Sequence, residues 1–172
     1  MIMKRIMTMI VSMLLCMATF AQTSQPSFSQ QLTKARNGDV EAMYDVAIRY
    51  YVGNGVEKNK RESFNWFLKA AEKGDVDAMI DVAECYYYGK GVEADDDEGF
   101  YWMLKAAEAG NAYAMEDIAK HYVYYENNDE AYKWYSKAAE KGSKTAVEAL
   151  KWMKENGYVP KPVQGKRSGQ VY

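Results

Sequence analysis

The stretch Gly38–Val56, GDVEAMYDVAIRYYVGNGV, returns 36 residues later as Gly74–Val92, GDVDAMIDVAECYYYGKGV. The next segment repeats too. Ser63–Gly74, SFNWFLKAAEKG, recurs at the same offset as Gly99–Gly110, GFYWMLKAAEAG, and then as Ala131–Gly142, AYKWYSKAAEKG, after a unit shortened to 32 residues. A fixed period of this size marks an array whose units cannot bury an apolar face alone and do so by stacking. Three copies therefore predict stacked units, not one closed core.

Each unit reads as two helices. Met43, Val46, Ala47 and Tyr50 fall at the i, i+3, i+4, i+7 spacing of one apolar helix face, as do Met79, Val82, Ala83 and Tyr86, and Met115, Ile118, Ala119 and Tyr122. Phe64, Phe67, Leu68 and Ala71 make the corresponding face of the second helix, with Trp66 beside them. Ala70 and Ala71, Ala106 and Ala107, and Ala138 and Ala139 leave room for close antiparallel packing. Gly38, Gly74, Gly110 and Gly142 stand where left-handed residues end helices, and Gly53-Asn54-Gly55 and Gly89-Lys90-Gly91 turn the chain between the two helices of a unit.

Outward from the repeats, the chain divides into a signal peptide (1–21), an N-terminal capping helix (22–37), repeats over 38–73, 74–109 and 110–141, a C-terminal capping helix (142–158) and a flexible tail (159–172). Phe28, Leu32 and Ala35 lie one period before Phe64, Leu68 and Ala71, so the first cap reads as a lone second helix. Ala146, Val147, Leu150 and Met153 give the last cap the face of a lone first helix. Helices this short are marginal alone, so both are expected to dock on their neighbours.

The opening segment has Lys4 and Arg5, then an apolar run from Ile6 to Phe20 of about 15 residues, then small residues to Ala21. That is shorter than the roughly 20 residues a spanning helix needs, and no second apolar run comes after it. Export to the periplasm or the exterior, with cleavage after Ala21, is the expectation. Lipidation at Cys16 is disfavoured by the bulk of Leu15. Cleavage takes the net charge from -2 to -4 and leaves Cys85 as the lone thiol, so no intramolecular disulfide is available.

Composition narrows the chemistry. Twenty-two Lys and Arg against 24 Asp and Glu give no electrostatic reason to expect nucleic acid or an acidic membrane as partner. Fifteen Tyr stand beside a single His and two Cys, a chain rich in contact residues and poor in nucleophiles and metal ligands. The Gly-x-Gly turns come after no strand and recur with the repeat, which argues against a phosphate loop. Asp95 to Glu98 lack the spacing of a calcium loop and suit a helix N-terminus. No metal or cofactor is expected.

The pattern A-x-x-x-[VI]-A-x-x-Y, then G-x-G-V, then W-x-x-K-A-A-x-x-G resembles the Sel-one-like repeat, a relative of the tetratricopeptide repeat, over roughly Gly38 to Gly142. Two departures are local. Ala47, Ala83 and Ala119 stand where that family often has Gly, and the third unit has Tyr124-Tyr-Glu-Asn-Asn128 in place of the Gly-x-Gly turn. The resemblance implies an all-α, right-handed solenoid of antiparallel helix pairs, here three repeats with half-repeat caps. It also implies a non-enzymatic, monomeric scaffold that binds a protein or peptide, without catalytic residues.

By analogy with tetratricopeptide grooves, the first helix of each unit lines the binding face. The candidate positions are Tyr44, Ile48, Tyr51 and Val52; Ile80, Glu84, Tyr87 and Tyr88; Glu116, Lys120, Val123 and Tyr124. They vary between units while the framework is kept, and their aromatic and acidic character suits an extended segment with apolar or basic side chains. Packing between adjacent repeats is an equally good account of Tyr51 and Tyr87. Asp45, Asp81 and Asp117, one period apart, are assigned to hydrogen bonds within each repeat in preference to a cation ladder. Two other functions stay open: an inhibitor of a secreted toxin, and a hydrolase of cell-wall or antibiotic-like substrates. The second is suggested by cysteine-rich relatives whose paired cysteines are missing here, and would have to rest on Cys85 and His121.

Overall fold

A computed structural model describes residues 26–158, and these form eight α-helices and no strand. They are α1 (Phe28–Arg36), α2 (Val40–Val52), α3 (Lys60–Glu72), α4 (Val76–Tyr88), α5 (Asp96–Glu108), α6 (Ala112–Tyr124), α7 (Asn128–Glu140) and α8 (Lys144–Glu155). Each packs mainly against its sequence neighbours, as a solenoid requires. Segments 1–21 and 159–172, expected to be signal peptide and tail, lie outside the described residues.

Local chemistry sets every helix start. Ser27, Asp39, Asn59, Asp75, Asp95, Asn111, Asn127 and Ser143 each accept a backbone N–H of the first turn with the side-chain oxygen. Losing such a cap typically costs about 1 kcal/mol. Asp95 thus serves α5 as an N-cap, accepting from the amides of Asp97 and Glu98 at 3.0 Å.

The alanine pairs and the Met, Val and Ile positions of the apolar faces form one continuous core along the array. Trp66, Trp102 and Trp134 are buried with it, and Lys69, Lys105 and Lys137 lie over their rings at 4.3, 4.8 and 3.8 Å. The repeats are joined by edge-to-face aromatic pairs. Phe28 meets Tyr50 at 5.2 Å, Phe64 meets Tyr86 at 5.3 Å, and Phe100 meets Tyr122 at 6.2 Å. Each pair contributes about 0.5–1.5 kcal/mol beyond its buried area. The first cap therefore docks through the same contact as the full repeats.

The last junction differs. Tyr132 occupies the position of Phe100, but α8 offers Lys154 where Tyr122 would recur. Tyr158, past the end of α8, takes that place, stacking on Tyr132 at 5.6 Å and donating its hydroxyl to Asp129. The expected face of α8 is only partly used: Ala146 and Met153 are buried, whereas Val147 is exposed, because no later helix covers it among the described residues.

The shortened third turn keeps the essential bond of the longer ones. The amides of Asn59, Asp95 and Asn127 donate to the carbonyls of Tyr50, Tyr86 and Tyr122 at 2.9, 3.0 and 2.9 Å. With no glycine available, Glu126 takes the left-handed conformation (φ 57°) that closes the tighter turn. Helices α6 and α7 keep the 13 residues of their counterparts.

Candidate functional site

The varied positions of α2, α4 and α6 do not present one uniform face. Tyr44 is partly buried, packed on Phe67 at 5.5 Å, with its hydroxyl directed at Asp81 of the next repeat. Ile48 and Ile80 also pack against the core. Tyr51 is partly covered, with the Lys58 ammonium 5.8 Å from its ring centre. Glu84 pairs with Lys90 at 3.1 Å, and Glu116 accepts a hydrogen bond from Ser143 at 2.5 Å. Val52, Tyr88, Lys120, Val123 and Tyr124 are exposed, Tyr88 at 70% and Tyr124 at 81%.

Two further tyrosines extend this exposed set. Tyr113 at the start of α6 and Tyr125 just after its end are 53% and 65% exposed. Sequence reasoning missed both, Tyr113 because its counterparts are the acids Glu41 and Asp77, Tyr125 because it lies in the irregular turn. With Tyr88 and Tyr124, these put four exposed tyrosines on or next to α4 and α6, while Tyr101 on α5 and Trp152 on α8 are exposed as well. Scattered apolar residues on a surface mean little, but clustered exposed aromatics mark contact surfaces.

A pocket of about 360 Å³ lies in this surface, lined by Tyr87, Asp96, Asp117, Lys120, His121, Tyr124 and Tyr125. Its wall is a chain of rings: Phe100 against His121 at 4.2 Å, His121 against Tyr125 at 4.7 Å, and Tyr125 edge-on to Tyr124 at 5.1 Å. Tyr87 is placed by Gly99. A Cβ at that helical position would fall 2.5 Å from the Tyr87 ring, so the ring rests directly on the α5 backbone. Glycine inside a helix costs roughly 1 kcal/mol against alanine, and here it makes room for an aromatic lining residue. Ser63, its counterpart in the first repeat, instead closes that unit with a hydrogen bond to the Ala47 carbonyl at 2.9 Å.

The three periodic aspartates have different fates. Asp45 holds Arg49 within its own helix at 2.7 Å, as expected from the repeat. Asp81 is reached from the preceding repeat by Tyr44; burial raises its pKa and the Tyr44 hydroxyl opposes the rise. At the next junction the residue equivalent to Tyr44 is Ile80, which has no hydroxyl to offer Asp117. Burial raises the pKa of Asp117 as well, against the opposing influence of Lys120 and His121, while Glu84 adds to the rise. Burial first, then the charges of Asp117 and Asp96, push the Tyr87 phenol well above its ordinary value. The pocket therefore carries a net negative field inside an aromatic wall.

Cys85 is 4% exposed, and burial pushes its thiol up to about 11. Reactive cysteines are shifted the opposite way, toward the thiolate. His121 packs between aromatic rings and not as the partner of a nucleophile. In a Cys16→Ser background, labelling of Cys85 at pH 8 is expected to be slower in the native chain than in denaturant by on the order of a hundredfold, from the thiolate fraction alone. Equal rates would show an accessible, activated thiol. Among the described residues no group of His, Cys, Asp and Glu converges as a metal site, and no helix is long and apolar enough to cross a membrane.

The Sel1 repeat profile matches residues 40–75, 76–111 and 112–143. Among solved structures, the chain is similar to a Sel1 repeat protein from Oxalobacter formigenes, at 29% identity and a TM-score of 0.71 over 77% of this chain and 40% of that one. It is also similar to a protective antigen present in uropathogenic Escherichia coli strains that displays an SLR fold. That match has 32% identity and a TM-score of 0.63, over 72% of this chain and 27% of the antigen. The chain thus spans less than half the length of either. No curated protein is similar enough to this chain to count as a match.

Proposed function

The chain belongs to the Sel1 repeat family, and we propose that it is an exported, non-enzymatic binding module that holds a protein or peptide across the junction of its second and third repeats. Sel1 repeats are generally protein-interaction modules built on a scaffold that does no chemistry. The observation that carries the finer reading is the pair of exposed tyrosines at one pocket, Tyr124 and Tyr125, with Tyr88 and Tyr113 also exposed on α4 and α6. Tyrosine offers large, stiff contact area with a polar tip and loses little rotamer freedom on binding. The frame beneath it is closed by buried alanines and tryptophans, so the tyrosines can vary without disturbing the fold. Export rests on the apolar segment behind Lys4 and Arg5.

The test is selection of a displayed random-peptide library on the immobilised chain and on a Tyr88→Ala, Tyr124→Ala, Tyr125→Ala variant. These three are the right choice because Tyr44 and Tyr87 support the structure, whereas the exposed tyrosines do not. The variant is expected to keep the helical circular dichroism of the parent and to lose at least tenfold in retained peptide, about 1.4 kcal/mol. Equal retention of the same peptides by both proteins would place the binding surface elsewhere.

A further inference from the structure

Exposed Trp152 and Val147 on the end helix, the buried Cys85 thiol and the Arg49–Asp45 pair are isolated features, whereas charge and aromatic rings converge in the pocket at the second junction. Its volume of about 360 Å³ is at the small end for ligand sites and suits one long side chain. Two carboxylates, Asp96 and Asp117, face one ammonium, Lys120, and Lys120 is exposed at the rim while Asp117 is partly buried. Glu84 of α4 also lies near Asp117, with its carboxylate paired to Lys90. No described side chain forms an ion pair with Asp117. The surrounding rings of Tyr87, His121, Tyr124 and Tyr125 present faces and edges to the same space.

We infer that this pocket seats an arginine side chain of the bound partner, with the guanidinium stacked among the tyrosines and held by Asp117, and with Asp96 adding charge at the mouth. This rests on the binding-module reading and names the chemistry of its anchor. Arginine fits better than lysine because its planar, weakly hydrated group can stack on rings and donate in a fork to a carboxylate at the same time. An acidic or purely apolar side chain would leave Asp117 with only Lys120 and His121 to offset its charge on desolvation. At the first junction the equivalent carboxylate, Asp81, is already approached by the Tyr44 hydroxyl, a partner that Asp117 lacks because Ile80 stands in the place of Tyr44.

The probe is N-acetyl-arginine amide, with the uncharged citrulline analogue as control, titrated into the full chain and followed by backbone amide chemical shifts. Arginine amide is expected to produce saturable shifts at Asp117, Lys120 and His121, at least tenfold tighter than citrulline amide. Asp117→Asn should erase that preference with its other amide shifts unchanged, and Gly99→Ala, which displaces the Tyr87 ring, should weaken both ligands. Identical titrations by arginine and citrulline amides, or unaltered preference in Asp117→Asn, would overturn the inference. So would pocket shifts that track protein concentration instead of ligand, the mark of a second copy of the chain as occupant. Because this probe is a single residue, its failure stands apart from failure of the library selection, which tests the tyrosine surface as a whole.

Discussion

Trp102→Ala is expected to lower the stability of the array by about 3–5 kcal/mol, the range for truncating a buried aromatic side chain. Trp102 is 6% exposed and lies in the middle repeat, next to the buried Met103 and beneath the Lys105 ammonium. Removing the indole opens a cavity that the close-set alanines Ala106 and Ala107 cannot collapse into, since their side chains have no further reach. In an array with nearest-neighbour coupling, a defect in the central unit also weakens both interfaces it makes. The measurement is denaturant unfolding followed by circular dichroism, with Trp102→Phe alongside. The alanine variant should unfold on the order of 10 °C lower in a thermal scan, and the phenylalanine variant should recover more than half of the loss. A loss below about 0.5 kcal/mol, the ordinary surface scale, would mean that the indole is not part of the core.

Gly91→Ala is expected to cost about 3 kcal/mol or more, for two separable reasons. The backbone there has φ 86°, and a left-handed conformation costs an L-residue roughly 1–2 kcal/mol. In addition, the new Cβ would be driven against the Lys60 carbonyl oxygen and would lie 2.9 Å from the Arg61 nitrogen, both backbone atoms at the start of α3. Backbone at a helix start cannot move aside as a side chain does. Gly55, one period earlier, has φ 71°, but a Cβ there would meet only the Phe28 Cβ at 3.4 Å. Gly55→Ala therefore reports the conformational cost alone, about 1–2 kcal/mol, and the difference between the two variants measures the close approach between repeats. Equal losses from both would show that the turn at Gly91 does not touch the preceding unit.

Much of this architecture is legible in the residues alone. The period, the two faces per unit and the glycine stops are statements about hydrophobic spacing and backbone freedom, which act locally. Phe28 lies one period before Phe64, and each meets its tyrosine in the same edge-to-face pair. The far cap is harder to read: Val147 fits the helical period, yet a terminal helix has only one side to bury. The groove residues are legible as variable positions and not as a surface. Variation alone does not separate Tyr44, which packs inward toward Asp81, from Tyr88, which faces solvent.

The architecture follows from the residues alone: helix pairs in a stacked repeat, with Tyr and Trp abundance arising largely from one motif used three times. Local periodicity suffices for that, because every unit solves the same packing problem with its neighbour. Packing between units sets which side chains stay exposed at each junction. That depends on which residue faces which across a junction, a relation between positions 37 residues apart in the pairs Tyr44 with Asp81 and Ile80 with Asp117. The Tyr44 hydroxyl meets Asp81 at the first junction, Ile80 offers none to Asp117 at the second, and a helical glycine sets the Tyr87 ring that lines the pocket there.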